Sequence, residues 1–121
     1  VNTARPFIFS TALSPSDAAA ARAALAVLRS AEGDGLVRRL RAHTNRLAPD
    51  HPSPIVPLVV GDEADAVAAS GALALAGYWV PAIRPPTVAP GTSRLRITCS
   101  AAHTDAQVDG LLVALDALGL R

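Results

Sequence analysis

The chain has no lysine; all eleven of its Lys-or-Arg cations are arginine. No side chain here can therefore form a Schiff base with a carbonyl compound. There is one cysteine, Cys99, which excludes an internal disulfide and is too little for a zinc site. A reducing, cytoplasmic setting is the default expectation. Aromatic residues make up only 3% while half of all residues are hydrophobic. The core must then be built from Ala, Val, Leu and Ile, which bury little area each, and a covering partner would help. No apolar run approaches the roughly 18 residues of a membrane span, and no charged start leads into an apolar stretch as in a signal peptide. Basic and acidic residues nearly cancel, at net +1. That leaves no electrostatic footprint for nucleic acid or an anionic membrane.

What is present fits one domain, or a piece of a larger one, of 121 residues. The opening, Val1 to Arg5, reads as the tail of something cut. A short extended apolar stretch, Pro6 to Phe9, ends in the polar pair Ser10-Thr11. Ser14-Pro15-Ser16-Asp17 then has the order of a helix start, and Ala21, Ala24, Leu25 and Leu28 continue it at helical spacing to about Ala31. Glu32-Gly-Asp-Gly35 reads as a turn. A second helix is expected from Leu36 to Leu47, with Leu36, Leu40, His43 and Leu47 on one stripe.

Ile55 to Val60 is nearly all apolar and reads as a buried strand. Asp62 caps a helix that stops near Ala76 and Gly77. Tyr78 to Ile83 is a second strand, edge-like or bulged because of Pro81. After a loop with three prolines, Arg94 to Cys99 alternates polar and apolar as a half-buried strand does. Thr104 and Gln107 form a capping box for a last helix to about Leu118. The expected architecture is α+β: a small, mostly antiparallel three-stranded sheet with helices on one face.

Alternation puts Arg94, Arg96 and Thr98 on one face and Leu95, Ile97 and Cys99 on the other. With Arg84 at the start of the proline loop, the arginines make a cationic neighbourhood able to grip a carboxylate by a two-bond fork. The plainer alternative is that they are solvated or paired with Asp and Glu. His43, His51 and His103 do not form a set, and no spacing suggests metal ligands or a nucleophile triad. His103 reads as closing a helix end, Cys99 as an inert core residue, and Asp62-Glu63 as favourable charge at a helix N-terminus.

Three segments are more specific: Ala82-Ile-Arg-Pro-Pro-Thr-Val88, Gly91-Thr-Ser-Arg-Leu-Arg-Ile-Thr98 and Ser100-Ala-Ala-His103. Together they resemble the C-terminal signature of the α-oxoamine synthases, which depend on pyridoxal 5'-phosphate (PLP). Ala4 to Leu13 is similar to the segment where that family leaves its large cofactor domain. Two departures stand out: the family pattern Thr-Val-Pro-x-Gly-Thr becomes Thr87-Val-Ala-Pro-Gly-Thr92, and Leu-Pro-Pro becomes Leu13-Ser-Pro15.

The resemblance implies an aspartate-aminotransferase-like fold, a homodimer, and a division of this chain into a crossing segment, residues 1–14, and a small C-terminal domain, residues 15–121. The large cofactor domain, with its PLP-binding lysine, is absent from this sequence, so the chain alone should be inactive. The implied reaction condenses pimeloyl-CoA or a pimeloyl-carrier protein with L-alanine, losing CO2 and CoA, in biotin assembly, with PLP as the electron sink. By the same resemblance, Arg96 binds the amino-acid carboxylate, Thr87 contacts the acyl substrate, Arg84 lies near the acyl chain, and Ser10 and Thr11 reach the PLP phosphate of the neighbouring subunit. Members of the glycine C-acetyltransferase or 5-aminolevulinate synthase type are the nearest rivals, but they carry Tyr-Pro where this sequence has Pro85-Pro86. A free-standing regulatory domain that senses a small anion is the rival of another class.

Overall fold

The computed structural model describes Thr3 and residues 13–121, which fall into two compact units divided between Gly35 and Leu36. The first unit contains helix α1 (Pro15–Leu28) and the start of helix α2 (Ala31–Leu47). Ser14 precedes α1 with extended dihedrals and Pro15 takes its first turn, as expected. The end of α1 differs from expectation. It stops at Leu28, where the Arg29 amide donates to Leu25 O and the Ser30 amide to Val27 O. The expected turn at Glu32 to Gly35 is the first turn of α2. Ser30 supplies the start, its Oγ accepting from the Gly33 amide at 3.3 Å. Gly33 is there for closeness rather than for turning: a Cβ on it would lie 2.7 Å from Leu28 Cα.

The second unit holds the rest of α2, strand β1 (Ile55–Gly61), helix α3 (Glu63–Leu75), strands β2 (Ala82–Ile83) and β3 (Ser93–Thr98), and helix α4 (Asp105–Ala117). The sheet order is β1-β3-β2 and both pairings are antiparallel. Asp62 Oδ1 accepts from the amides of Ala64 (2.7 Å) and Asp65 (3.2 Å), fixing the start of α3. Thr104 and Gln107 make the reciprocal capping box that starts α4. β2 is much shorter than the expected Tyr78–Ile83. Proline has no amide to give to a ladder, and here Pro81 contributes only its carbonyl, which accepts from the Arg96 amide at 3.0 Å.

Val56, Leu73, Val80, Leu95, Ile97 and Leu115 form the core, with Leu47, Ala69, Leu111 and Ala114 packed against it, so the helices cover one face of the sheet. β1 is not buried on both sides as its apolar run suggests. Val56 is buried, but Ile55 and Val59 are 47% and 60% exposed on the opposite face. Near the other end, Gly110 sits in the middle of α4, where glycine is costly. A Cβ there would fall on the Tyr78 hydroxyl and 3.2 Å from Tyr78 Cζ, so the glycine is what lets the tyrosine ring lie against the helix.

Candidate functional site

The face of the sheet opposite the core carries the residues of interest. The β1/β3 register sets Thr98 opposite Ile55, Arg96 opposite Pro57 and Arg94 opposite Val59. Leu95, Ile97 and Cys99 are buried on the core side, as the alternation predicts. The result is a row of two guanidinium stems and a hydroxyl beside an apolar strip. The Arg96 backbone is held on both sides, by its pairing with Pro57 and by the bond to Pro81 O.

The three arginines differ in how they are engaged. Arg94 Nε donates to Thr92 O at 3.0 Å, which ties the strand to the end of the proline loop. Arg84 Nη1 donates to Glu63 Oε1 at 2.6 Å. Both of those side chains are about half exposed, and such pairs contribute only about 0.2–1 kcal/mol. Arg96 is exposed, and among the described residues its guanidinium has no hydrogen-bond or ion-pair partner. Of the three it is the one whose fork is unoccupied among the described residues.

Thr87 sits in the loop that follows β2, where its amide donates to Arg84 O at 3.0 Å and closes a tight turn. The peptide between Pro85 and Pro86 in that turn is cis. The loop ends at a second turn, in which Thr92 donates through both its amide and its hydroxyl to Ala89 O. Residues Ala82 to Thr87 line an open concavity of about 360 Å³, with aliphatic walls from Ala82, Ile83, Pro85 and Pro86 and a polar rim from Arg84 and Thr87. Ser10 and Thr11 lie outside the described residues.

The other polar residues have structural partners. His43 is buried, with Nδ1 3.2 Å from Ser100 O and Nε2 3.4 Å from Asp105 Oδ1, joining α2 to the start of α4. Arg46 reinforces that junction through Asp105 and Asp109. His103 Nδ1 accepts from the Ser100 amide at 3.3 Å, closing the turn before α4. His51 makes a similar local loop contact with Ser53. Burial pushes the Cys99 thiol up, only partly offset by a hydrogen bond with Thr44. An un-ionised buried thiol is a poor nucleophile, which fits its place in the core. Among the described residues no group of His, Cys, Asp and Glu could hold a metal ion, and no helix is long and apolar enough to cross a membrane. The residue that sequence reasoning passed over is Glu63, taken only as favourable helix-end charge. Its partner Arg84 is 21 positions away, in a loop that follows a different strand, and no local signal joins the two.

Residues 1–115 match the family described as aminotransferase class I and II, and the chain belongs to that family. Within it, the chain is similar to enzymes named 8-amino-7-oxononanoate synthase. It is 52% identical to the one from Anaeromyxobacter dehalogenans (strain 2CP-1 / ATCC BAA-258), over 98% of this chain and 32% of the relative. It is 45% identical to the one from Bordetella petrii, again over 98% of this chain and 32% of the relative. The chain thus spans about a third of the length of the curated relatives it matches. Among solved structures, the serine palmitoyltransferase of Sphingomonas wittichii superposes with a TM-score of 0.80 and 31% identity, over 96% of this chain and 33% of that one. A high-resolution structure of SPT with PLP superposes with a TM-score of 0.74 and 29% identity, over 97% of this chain and 33% of that one. The α+β expectation and the resemblance read from the three segments both hold.

Proposed function

We propose that this chain serves as the C-terminal part of a PLP-dependent 8-amino-7-oxononanoate synthase, condensing pimeloyl-CoA or a pimeloyl-carrier protein with L-alanine and releasing CO2 and CoA. In this reading the enzyme is a cytoplasmic homodimer of biotin biosynthesis. The observation that carries it is Arg96, a guanidinium with no partner among the described residues, on a strand flanked by two others and within the stretch matched by relatives of that name. A carboxylate is the ligand whose geometry matches a planar two-donor fork. Arg96 then binds the alanine carboxylate, Thr87 meets the acyl donor, and Arg84 lies near the acyl chain. The crossing segment, residues 1–14, brings Ser10 and Thr11 to the cofactor phosphate of the neighbouring subunit, and the small domain follows it.

This chain does not fit the role of cofactor holder, because it contains no lysine. PLP supplies an electron sink when bound, and the part of the enzyme beyond this chain has to anchor it. What these residues contribute is binding and orientation. Fixing the carboxylate on a rigid strand fixes the amino-acid Cα, and orientation of that kind accounts for a large share of many enzymatic rate gains.

The test is a graft, with this chain replacing the corresponding third of the Anaeromyxobacter dehalogenans enzyme. The graft should load PLP and release CoA from pimeloyl-CoA only when L-alanine is supplied. A graft that folds and binds PLP but uses glycine in place of alanine would move the chain to another branch of the family.

A further inference from the structure

We propose that Glu63 is a positioning residue for the acyl donor, acting through Arg84 on the loop that carries Thr87. The inference rests on the reading of Thr87 as an acyl contact. Glu63 is the first residue of α3, immediately after the Asp62 cap, so its Cα is fixed by the helix start. Its carboxylate accepts from Arg84 Nη1 at 2.6 Å. The Arg84 carbonyl accepts in turn from the Thr87 amide, so Arg84 and Thr87 share one tight turn. One residue upstream, Ile83 is paired with Arg94 of β3. The loop is therefore held from two sides, by the sheet behind Arg84 and by α3 through Glu63. The concavity formed by Ala82 to Thr87 is aliphatic on its walls, as suits the methylenes of an acyl chain. In this arrangement Arg84 has its charge answered within the chain. It acts as a strut for the concavity rather than as the clamp for a substrate anion, and Glu63 sets the direction of that strut.

The experiment uses the PLP-loaded graft. Glu63→Gln removes the charge and keeps the shape. It should raise the pimeloyl-CoA KM by roughly two- to fivefold, the range an ion pair of this exposure commands. The alanine KM and the kcat at saturating pimeloyl-CoA should stay within about twofold. The pimeloyl-CoA dissociation constant, read by calorimetry without alanine, should move with the KM. The charge swap Glu63→Arg with Arg84→Glu should restore it, which a merely structural effect of either substitution would not do. Thr87→Ala is run alongside. If Thr87→Ala weakens the acyl donor and Glu63→Gln does not, the inference is overturned while the reading of the loop survives. If Glu63→Gln strengthens acyl binding, Arg84 grips the substrate directly and the strut is wrong. If Thr87→Ala leaves acyl binding unchanged, the loop reading fails and the inference with it.

Discussion

Gly110 and Gly71 occupy the interiors of two 13-residue helices, and the same substitution should have opposite effects at the two. Alanine in place of glycine in a helix interior gains about 0.5–1 kcal/mol from backbone entropy alone. At Gly71 an added Cβ meets nothing within 4 Å, so Gly71→Ala should realise that gain. At Gly110 the Cβ would land on the Tyr78 hydroxyl and 3.2 Å from Cζ. Overpacking of this kind costs about 1–3 kcal/mol, leaving a net loss of about 0–2 kcal/mol after the helix gain. Removing the hydroxyl should relieve most of the clash. In a Tyr78→Phe background, Gly110→Ala should be nearer neutral by at least about 0.5 kcal/mol, the scale of coupling between touching residues. Urea denaturation followed by circular dichroism is the suitable assay. Trp79 is 87% exposed and would be a poor fluorescence reporter. Equal stabilisation by Gly110→Ala and Gly71→Ala, with no coupling to Tyr78, would refute the packing of Tyr78 on α4.

Arg96→Lys keeps the charge but loses the planar fork, so in the graft the alanine KM should rise roughly ten- to a hundredfold, or about 1.4–2.7 kcal/mol, with a fall in kcat and little change for pimeloyl-CoA. A defect confined to pimeloyl-CoA would assign Arg96 to the wrong substrate. Ser93 is fully buried and its Oγ has no partner among the described residues, so Ser93→Ala should stabilise the chain by about 1 kcal/mol in the same urea assay; destabilisation would mean the hydroxyl is satisfied. Because the folded Cys99 pKa lies above the ordinary 9.0, the unfolded chain gives up this proton first. The stability tied to Cys99 is then full below pH 9 and is lost as pH rises toward the folded value, a loss that Cys99→Ala should abolish in denaturation curves taken between about pH 8 and 10.

The features legible in the sequence are those decided within a few residues. The Asp62 cap and the Thr104–Gln107 box each close over two or three positions, and both are formed as read. The alternation from Arg94 to Cys99 sorted buried from exposed side chains correctly because a strand has no other periodicity to follow. The failures came where contacts outside the local pattern decided the structure. Gly33 and Gly35 look like a turn, but Gly33 is needed because the Leu28 backbone lies where a Cβ would go. Ile55 to Val60 looks buried on both faces since every residue in it is apolar, yet Ile55 and Val59 are exposed while Val56 is in the core. At the site, the exposed position of Arg96 on β3 was readable from the alternation. The pairing of Arg84 with Glu63 was not, because it depends on the fold bringing a helix start to a loop that follows a different strand.

The division of labour among the three arginines follows from where each Cα is held. Arg94 and Arg84 flank the proline loop, and each spends its guanidinium on that loop or on the helix beside it. Arg96 is two residues further along β3, where it lies opposite Pro57 on one side and its amide donates to Pro81 O on the other. In water a guanidinium and a carboxylate 4 Å apart attract by only about 1 kcal/mol, against about 4 kcal/mol in the lower dielectric near a protein surface. An exposed Arg96 beside Ile55, Pro57 and Val59 is thus a weak anion site for as long as this face stays wet. Cover over that apolar strip would expel water from around the guanidinium and strengthen its hold on a carboxylate without moving any atom of the strand. Arg96→Lys would keep the placement that the strand gives and the charge, and lose the planar fork, so the fork is what that substitution tests.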